Sequence, residues 1–305
     1  MSDSFFPYDR SALLTLDQPF YRKDLECFLW GAFQSDASRG DLSTDLLLRW
    51  DRPMTAFVES REDGLFSGLS EIRWFLERLI NSGFSDLAPA FHFQDAQPFY
   101  SGDVLLEIRA KASHLLKLER TLLNFLQRMC GIATLTRRYV DLATPLPVAA
   151  TRKTLYGLLD KKAVSVGGGL THRLHLGDAP LIKDNHLALV RGDWSALISG
   201  IQDKTDSFPF LTLEVRDEKE VEILLNSPLA HLQCPVFILC DNFTPLQLRK
   251  LLGRVGSKPP TFYFEVSGGI ELHTLQNYLI PGVDVISIGA LTHSVSAIDL
   301  SFKLV

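Results

Sequence analysis

The sequence predicts an α/β protein in two parts, the second of them a barrel of parallel strands. Three observations lead there. From about Pro147, short apolar runs alternate with helical patterns, the rhythm of strands joined by covering helices. Nearly every apolar run ends in charged, polar or glycine-rich residues, and strand ends of an α/β barrel converge on one site. No GxGxxG opens a helix after a strand; Gly167-Gly168-Gly169 lacks that spacing, so an open dinucleotide-binding sheet is the second choice.

The runs of the second part are VAATRK, VSVGGGLTHR, APLIKDNH, LTLEVRD, VFILCDN, FYFEVSGG and DVISIGALTH. Helical patterns cover Asp193–Lys204, Asp217–Asn226, Pro245–Leu252 and Leu272–Ile280. The first part, to about residue 130, mixes both element types. Ser70–Ile80 has helical periodicity, and Met54–Ser60 and Val104–Ala112 read as strands. A long amphipathic helix follows from about His114 to Leu142, with Leu118, Leu122, Phe125, Leu126 and Met129 on one face. Gly131 interrupts it and marks either a kink or a close packing contact.

Bulk properties bound the function. The 305 residues can bury a substantial core, and 46% hydrophobic with 22% charged residues is ordinary for a globular protein. No apolar run approaches the roughly 20 residues of a membrane span. The start, MSDSFFPYDR, has no secretory pattern. Cys27, Cys130, Cys234 and Cys240 lack metal-site spacing; the last two read as core thiols, and the set suits a reducing cytoplasm. A net charge of −5 gives no general attraction to nucleic acid or anionic membrane, so an anion site must be local.

The tips supply such a site. Arg152 and Lys153 end one run, His172 and Arg173 the next, and Lys183 the third; Arg120 lies on the long helix. Any one of these cations alone reads as solvated surface. As a set at one barrel mouth they would repel each other unless a polyanion were bound, and guanidinium forks match carboxylate and phosphate. Glu214 and Asp241 end two strongly apolar strands. They either neutralise neighbouring cations or hold Mg²⁺, which takes oxygen ligands and bridges to substrate phosphates. Ser267-Gly268-Gly269 and Gly289-Ala290 follow the last two strands, where glycine lets backbone amides approach a phosphate. His175, His186 and His293 read as structural.

The tips TRKT (151–154), GGGLTHR (167–173), LIKDNH (181–186), CDN (240–242), EVSGGI (265–270) and ISIGALTHS (286–294) together resemble the quinolinate phosphoribosyltransferase family. GDLSTD (40–45) and ERTLLNFLQRMCGIAT (119–134) extend the resemblance into the first part. It implies an N-terminal α/β sandwich domain followed by an open α/β barrel, with the chain divided at 1–130, 131–290 and 291–305, the last segment returning to the first domain. It implies transfer of phosphoribosyl from phosphoribosyl pyrophosphate to quinolinate, with loss of CO2, as a step of NAD biosynthesis. By motif, Arg152, Lys153, His172, Arg173 and Lys183 would bind quinolinate, with Lys153 and Lys183 also catalytic. Glu214 and Asp241 would hold Mg²⁺; Ser267, Gly268, Gly269 and Gly289 would hold the 5′-phosphate. Arg120 would reach the site of a neighbouring subunit, in a homodimer or larger homo-oligomer. One stretch departs from the family: TRKT usually continues x-Pro-Gly-x-Arg, and here it continues Leu155-Tyr156-Gly157-Leu158-Leu159. A related phosphoribosyltransferase of altered substrate, of the kind associated with molybdenum transport, and a non-catalytic phosphate-binding barrel are the alternatives.

Overall fold

A computed structural model describes residues 6–202, 208–256 and 258–305. The chain forms two compact units. One, the sheet unit, comprises Ala12–Arg137, Thr154–Gly168 and Ser294–Val305; the other, the barrel unit, comprises the described residues up to Ser11, Arg138–Lys153 and Gly169–His293. The units therefore exchange short segments that a division at 130 and 290 leaves in place.

The sheet unit holds an antiparallel sheet of β1 (Pro53–Ser60), β3 (Ala88–Phe91), β5 (Val104–Lys111) and β12 (Leu300–Leu304), in the order β12-β1-β5-β3. A small ribbon pairs β2 (Gly64–Leu65) with β4 (Pro98–Phe99). Along β1, Ala56, Val58 and Ser60 are buried at a spacing of two, so one face meets the core. The helices are α1 (Pro19–Leu25), α2 (Gly31–Ala37), α3 (Leu42–Asp45), α4 (Leu69–Asn81), most of α5 (Ala112–Ala143) and α6 (Leu158–Val166). The apolar stripe of α4 buries Ile72, Phe75, Leu76 and Leu79.

α5 runs unbroken through Gly131. That glycine is therefore a packing contact, not a kink: a Cβ there would lie 2.4 Å from the carbonyl oxygen of Ser296. The C-terminal segment runs alongside, with the Ile298 N–H donating to the Gln127 carbonyl at 3.0 Å, before β12 pairs with β1.

The barrel unit holds β6 (Val148–Ala149), β7 (Leu181–Ile182), β8 (Leu211–Val215), β9 (Val236–Asp241), β10 (Phe262–Ser267) and β11 (Val285–Ser287), all parallel, in the order β6-β11-β10-β9-β8-β7. An isolated parallel bridge, Ala149 to Leu170, adds a seventh position beside β6. Chain neighbours are thus sheet neighbours, and the first strand pairs with the last. This is the pairing of a barrel, open only between the Leu170 segment and β7. The accompanying helices are α7 (Asp184–Leu189), α8 (Trp194–Gln202), α9 (Glu218–Leu225), α10 (Pro245–Val255) and the short α11 (Ala290–His293). Asp217 caps α9 through the Lys219 and Glu220 amides, and a Thr244–Gln247 capping box opens α10.

Two expectations fail here. The run Val164-Ser165-Val166, with its two β-branched valines, ends α6 instead of forming a strand, because its burial follows helical spacing from Leu159 and Ala163. Leu272–Ile280 is not a helix but one 3₁₀ turn, Leu275–Tyr278. Thr274 Oγ1 takes the Glu271 amide, and Pro281 disfavours helical geometry at Ile280. The helix expected over Asp193–Lys204 is α8; residues 203 and 204 lie outside the described residues.

The Gly131→Ala variant tests the close crossing over α5. Alanine favours a helix by about 1 kcal/mol over glycine, whereas overpacking against backbone costs about 1–3 kcal/mol. The clash is expected to dominate, lowering the urea midpoint; a higher midpoint would remove the contact.

Candidate active site

The strand tips of the barrel unit enclose a cavity of about 340 Å³. It is lined by Thr151, Arg152 and Lys153 after β6; His172 and Arg173 after Leu170; Lys183 after β7; Glu214, Asp241, Ser267 and Ser287 at the ends of β8 to β11; and Leu181, Leu239 and Glu265. Five cationic or imidazole side chains expected from the sequence do meet. The two acids and Ser267 meet them. Gly268, Gly269 and Gly289 follow at the same tips without lining the cavity, and Arg120 belongs to the sheet unit.

Each tip is fixed locally. Lys153 is held through its carbonyl, which accepts from Thr292 Oγ1 at 2.7 Å. Lys183 precedes α7, and its amide donates to Nδ1 of His186 at 3.0 Å, so His186 positions the lysine backbone. The Lys183 ammonium meets Glu214 Oε2 at 2.8 Å. Asp241 accepts from the Asn242 side chain at 2.8 Å. Asn242 itself is left-handed (φ 59°), and its amide donates to the Ser267 carbonyl at 2.8 Å. Gly268 (φ 107°) passes so close that a Cβ would lie 2.3 Å from Asn242 Oδ1. The glycine loop and the Asp241 tip therefore interlock.

His172 is also left-handed (φ 55°). Its Nδ1 accepts from the Arg173 amide at 2.6 Å, and its Nε2 faces Glu265 Oε1 at 3.4 Å. Glu265 is fully buried beneath the cavity. It also accepts from Ser287 Oγ and the Tyr8 hydroxyl. Burial opposes its ionisation, yet the positive edge of His172 and the hydrogen bonds of His172, Ser287 and Tyr8 prevail and hold its pKa below the usual glutamate value. Burial, and then the nearby Arg152 charge, lower the pKa of Arg173, with Asp178 acting the other way. Cations crowded in this way favour an anion between them.

The family model described as quinolinate phosphoribosyl transferase, N-terminal domain, matches residues 41–130, and that of the C-terminal domain matches residues 132–303. The chain belongs to this family. It is 36% identical over 268 residues to a nicotinate-nucleotide pyrophosphorylase [carboxylating] of Mycobacterium leprae, covering 87% of this chain and 91% of that one. A chloroplastic relative from Arabidopsis thaliana is 33% identical, covering 92% of this chain and 83% of that one. Among solved structures, the nicotinate-nucleotide pyrophosphorylase from Francisella tularensis superposes with a TM-score of 0.78 at 27% identity, covering 93% of this chain and 96% of that one.

Where the sequence departs from the family pattern, the sheet unit has its own clamp. Asp160, fully buried, accepts from both Leu155 and Tyr156 amides at 2.8 and 3.1 Å and takes a two-pronged pair from Arg128, both contacts 2.7 Å. Gly157 (φ 56°) lies where a Cβ would stand 2.3 Å from Asp24 Oδ2.

Sequence reasoning passed over Thr151, Ser287, Tyr8 and Glu265. Glu265 left a signal: it is a lone acid within the apolar run Phe262–Val266. Tyr8 left none, since its partners lie more than 160 residues away.

A carboxylate with a depressed native pKa stabilises the fold above its unfolded value, near 4.5, and loses that contribution as pH falls through the native value. Glu265→Gln is thus expected to lower unfolding free energy by about 2–3 kcal/mol at pH 7. The gap should narrow toward pH 3, as read by urea melts; a gap that widens on acidification contradicts an ionised Glu265.

Proposed function

We propose that this chain transfers phosphoribosyl from phosphoribosyl pyrophosphate to quinolinate, with decarboxylation, giving nicotinate mononucleotide, diphosphate and CO2. The observation that carries the reading is the meeting of Arg152, Lys153, Arg173 and Lys183 around one cavity, with Glu214 and Asp241 beside them. Family membership supports it.

Quinolinate carries adjacent carboxylates on a pyridine ring. The guanidinium forks of Arg152 and Arg173 suit these groups, and their binding aims the ring nitrogen at C1 of the ribosyl group. The ring nitrogen supplies the electron pair of the new C–N bond, and the C1–O bond breaks toward diphosphate. No protein nucleophile is needed. Lys153 and Lys183 offset charge that builds on the leaving group. The resulting pyridinium accepts the electron pair of the C2–carboxylate bond as CO2 departs, and that carbon then takes a proton. The Lys153 ammonium, which lines the cavity, is the candidate donor.

Glu214 and Asp241 fit Mg²⁺ of the substrate-borne kind. They stand on the adjacent strands β8 and β9, and no group of three or more metal-ligating side chains occurs among the described residues. One or two carboxylates plus phosphate oxygens is the usual Mg²⁺ environment. Bound there, the ion would neutralise diphosphate charge. Lys183 holds Glu214 in the meantime.

The working form is a homodimer or larger assembly in which Arg120 serves a neighbouring copy's cavity. Supporting this, Arg120 is exposed, pairs with its neighbour Glu119 at 2.6 Å, and borders a hollow with Phe28, Asp36, Asn124 and Tyr156. Cytoplasmic residence suits the four free thiols. No helix among the described residues is long and apolar enough to cross a membrane.

Incubation with quinolinate, phosphoribosyl pyrophosphate and Mg²⁺ should yield nicotinate mononucleotide by chromatography; no product would overturn the reading. Arg152→Ala should lower kcat/KM for quinolinate by about 10- to 100-fold, the loss of a charged hydrogen-bond pair. Chains carrying Arg120→Ala, mixed with chains carrying Arg173→Ala, should regain part of the activity absent from either alone. No recovery after demonstrated subunit exchange contradicts a shared site.

A further inference from the structure

The barrel is open between the Leu170 segment and β7, and residues 6–10 bond to Thr171 on one side of that break and to β8, beyond β7, on the other. On one side, Thr171 Oγ1 donates to the Tyr8 carbonyl at 3.0 Å and accepts from the Arg10 amide at 2.8 Å. Arg10 also pairs with Asp178 at 3.1 Å, and the other Asp178 oxygen accepts from the Leu174 amide at 2.8 Å. On the other side, the Tyr8 hydroxyl meets Thr212 Oγ1 of β8 at 2.8 Å, and its ring packs on Phe210. The segment thus ties Thr171, beside the break, to β8, the strand next to β7, through the core.

Tyr8 does more than fill space. Its ring is fully buried, stacked on Phe237 at 3.9 Å and on the His172 imidazole at 4.1 Å. Its single hydroxyl proton goes to Glu265 Oε2, so Thr212 donates to its oxygen. Glu265 in turn faces His172 Nε2. The imidazole, with Nδ1 taken by the Arg173 amide, is therefore held by its stacking face and by both nitrogens. It has little freedom left to act as a movable ligand. What it fixes is the left-handed turn before Arg173, which lines the cavity while its guanidinium donates to the Ala179 carbonyl at 3.1 Å.

We infer that Tyr8 is a positioning residue for the dicarboxylate pocket, acting through Glu265 and His172 on Arg173. This rests on the function proposed above, with a pyridine dicarboxylate held by Arg152 and Arg173. Among the described residues, the hydrogen bonds and ring contacts of Tyr8 do not include Asp241, Ser267 or the glycine loops on the phosphoribosyl side. The consequence is selective: loss of the hydroxyl should weaken the dicarboxylate site and leave the phosphoribosyl site alone.

Tyr8→Phe keeps the stacked ring and removes only the hydroxyl. With the parent enzyme active, the variant should raise KM for quinolinate about tenfold, the order expected when a hydrogen bond to a charged group is lost. KM for phosphoribosyl pyrophosphate should stay within twofold. Phthalate, a dicarboxylate without the ring nitrogen, should lose affinity in parallel by calorimetry. An unchanged quinolinate KM, or equal increases for both substrates, overturns the inference. Should Tyr8→Phe not fold, Thr212→Val, which removes the hydroxyl's other partner, is judged by the same split. An inactive parent enzyme would instead reject the proposed function, and phthalate calorimetry on parent and variant would still decide the role of Tyr8.

Discussion

A single buried carboxylate organises the barrel site. An ion taken out of water is costly unless its oxygens are satisfied, and Glu265 is satisfied from three separate places in the chain. Ser287 comes from the adjacent strand, His172 from the segment beside the opening and Tyr8 from the chain's first described residues. Each donor is held in place because the ion requires it. The acid therefore acts as a fixed point beneath the mouth, and the side chains at the mouth inherit its precision.

Above it the sign of charge reverses. Arg152 and Arg173 lie close enough for one to disfavour the other's charge, and burial adds to the effect on Arg173. Two acids temper this repulsion: Asp178 beside Arg173, and Glu214 on Lys183. The cavity thus keeps its own counterions at the edges and leaves the space between the arginines for a ligand. A small dicarboxylate completes a charge balance that the protein alone leaves partial.

Much of this was legible in the sequence. Runs such as VFILCD and LTLEV announce themselves as buried parallel strands, and the residues just beyond them had to share one rim. Arg152, Lys153, His172, Arg173, Lys183, Glu214 and Asp241 do share it. The sequence misled where a local pattern served two structures. Val164-Ser165-Val166 has strand-like residues but helical burial, and Leu272–Ile280 has helical spacing that Thr274 and Pro281 defeat. It had nothing to say about Tyr8, whose role depends on partners 164 to 257 positions distant. His172 lines the cavity with the other tip residues, and its ring is also engaged on both nitrogens.

The joining of Tyr8 to Glu265 spans 257 residues, and β12 returns across a similar length to pair with β1. During synthesis, then, neither unit can reach its final packing until its latest segment has left the ribosome. Tyr8 must wait, its ring without a home, while the chain that will enclose it is still being made. Contacts of such separation slow the search for the native state and lengthen the exposure of apolar surface. Final packing of each unit therefore waits on a segment that lies about 250 positions after its partner.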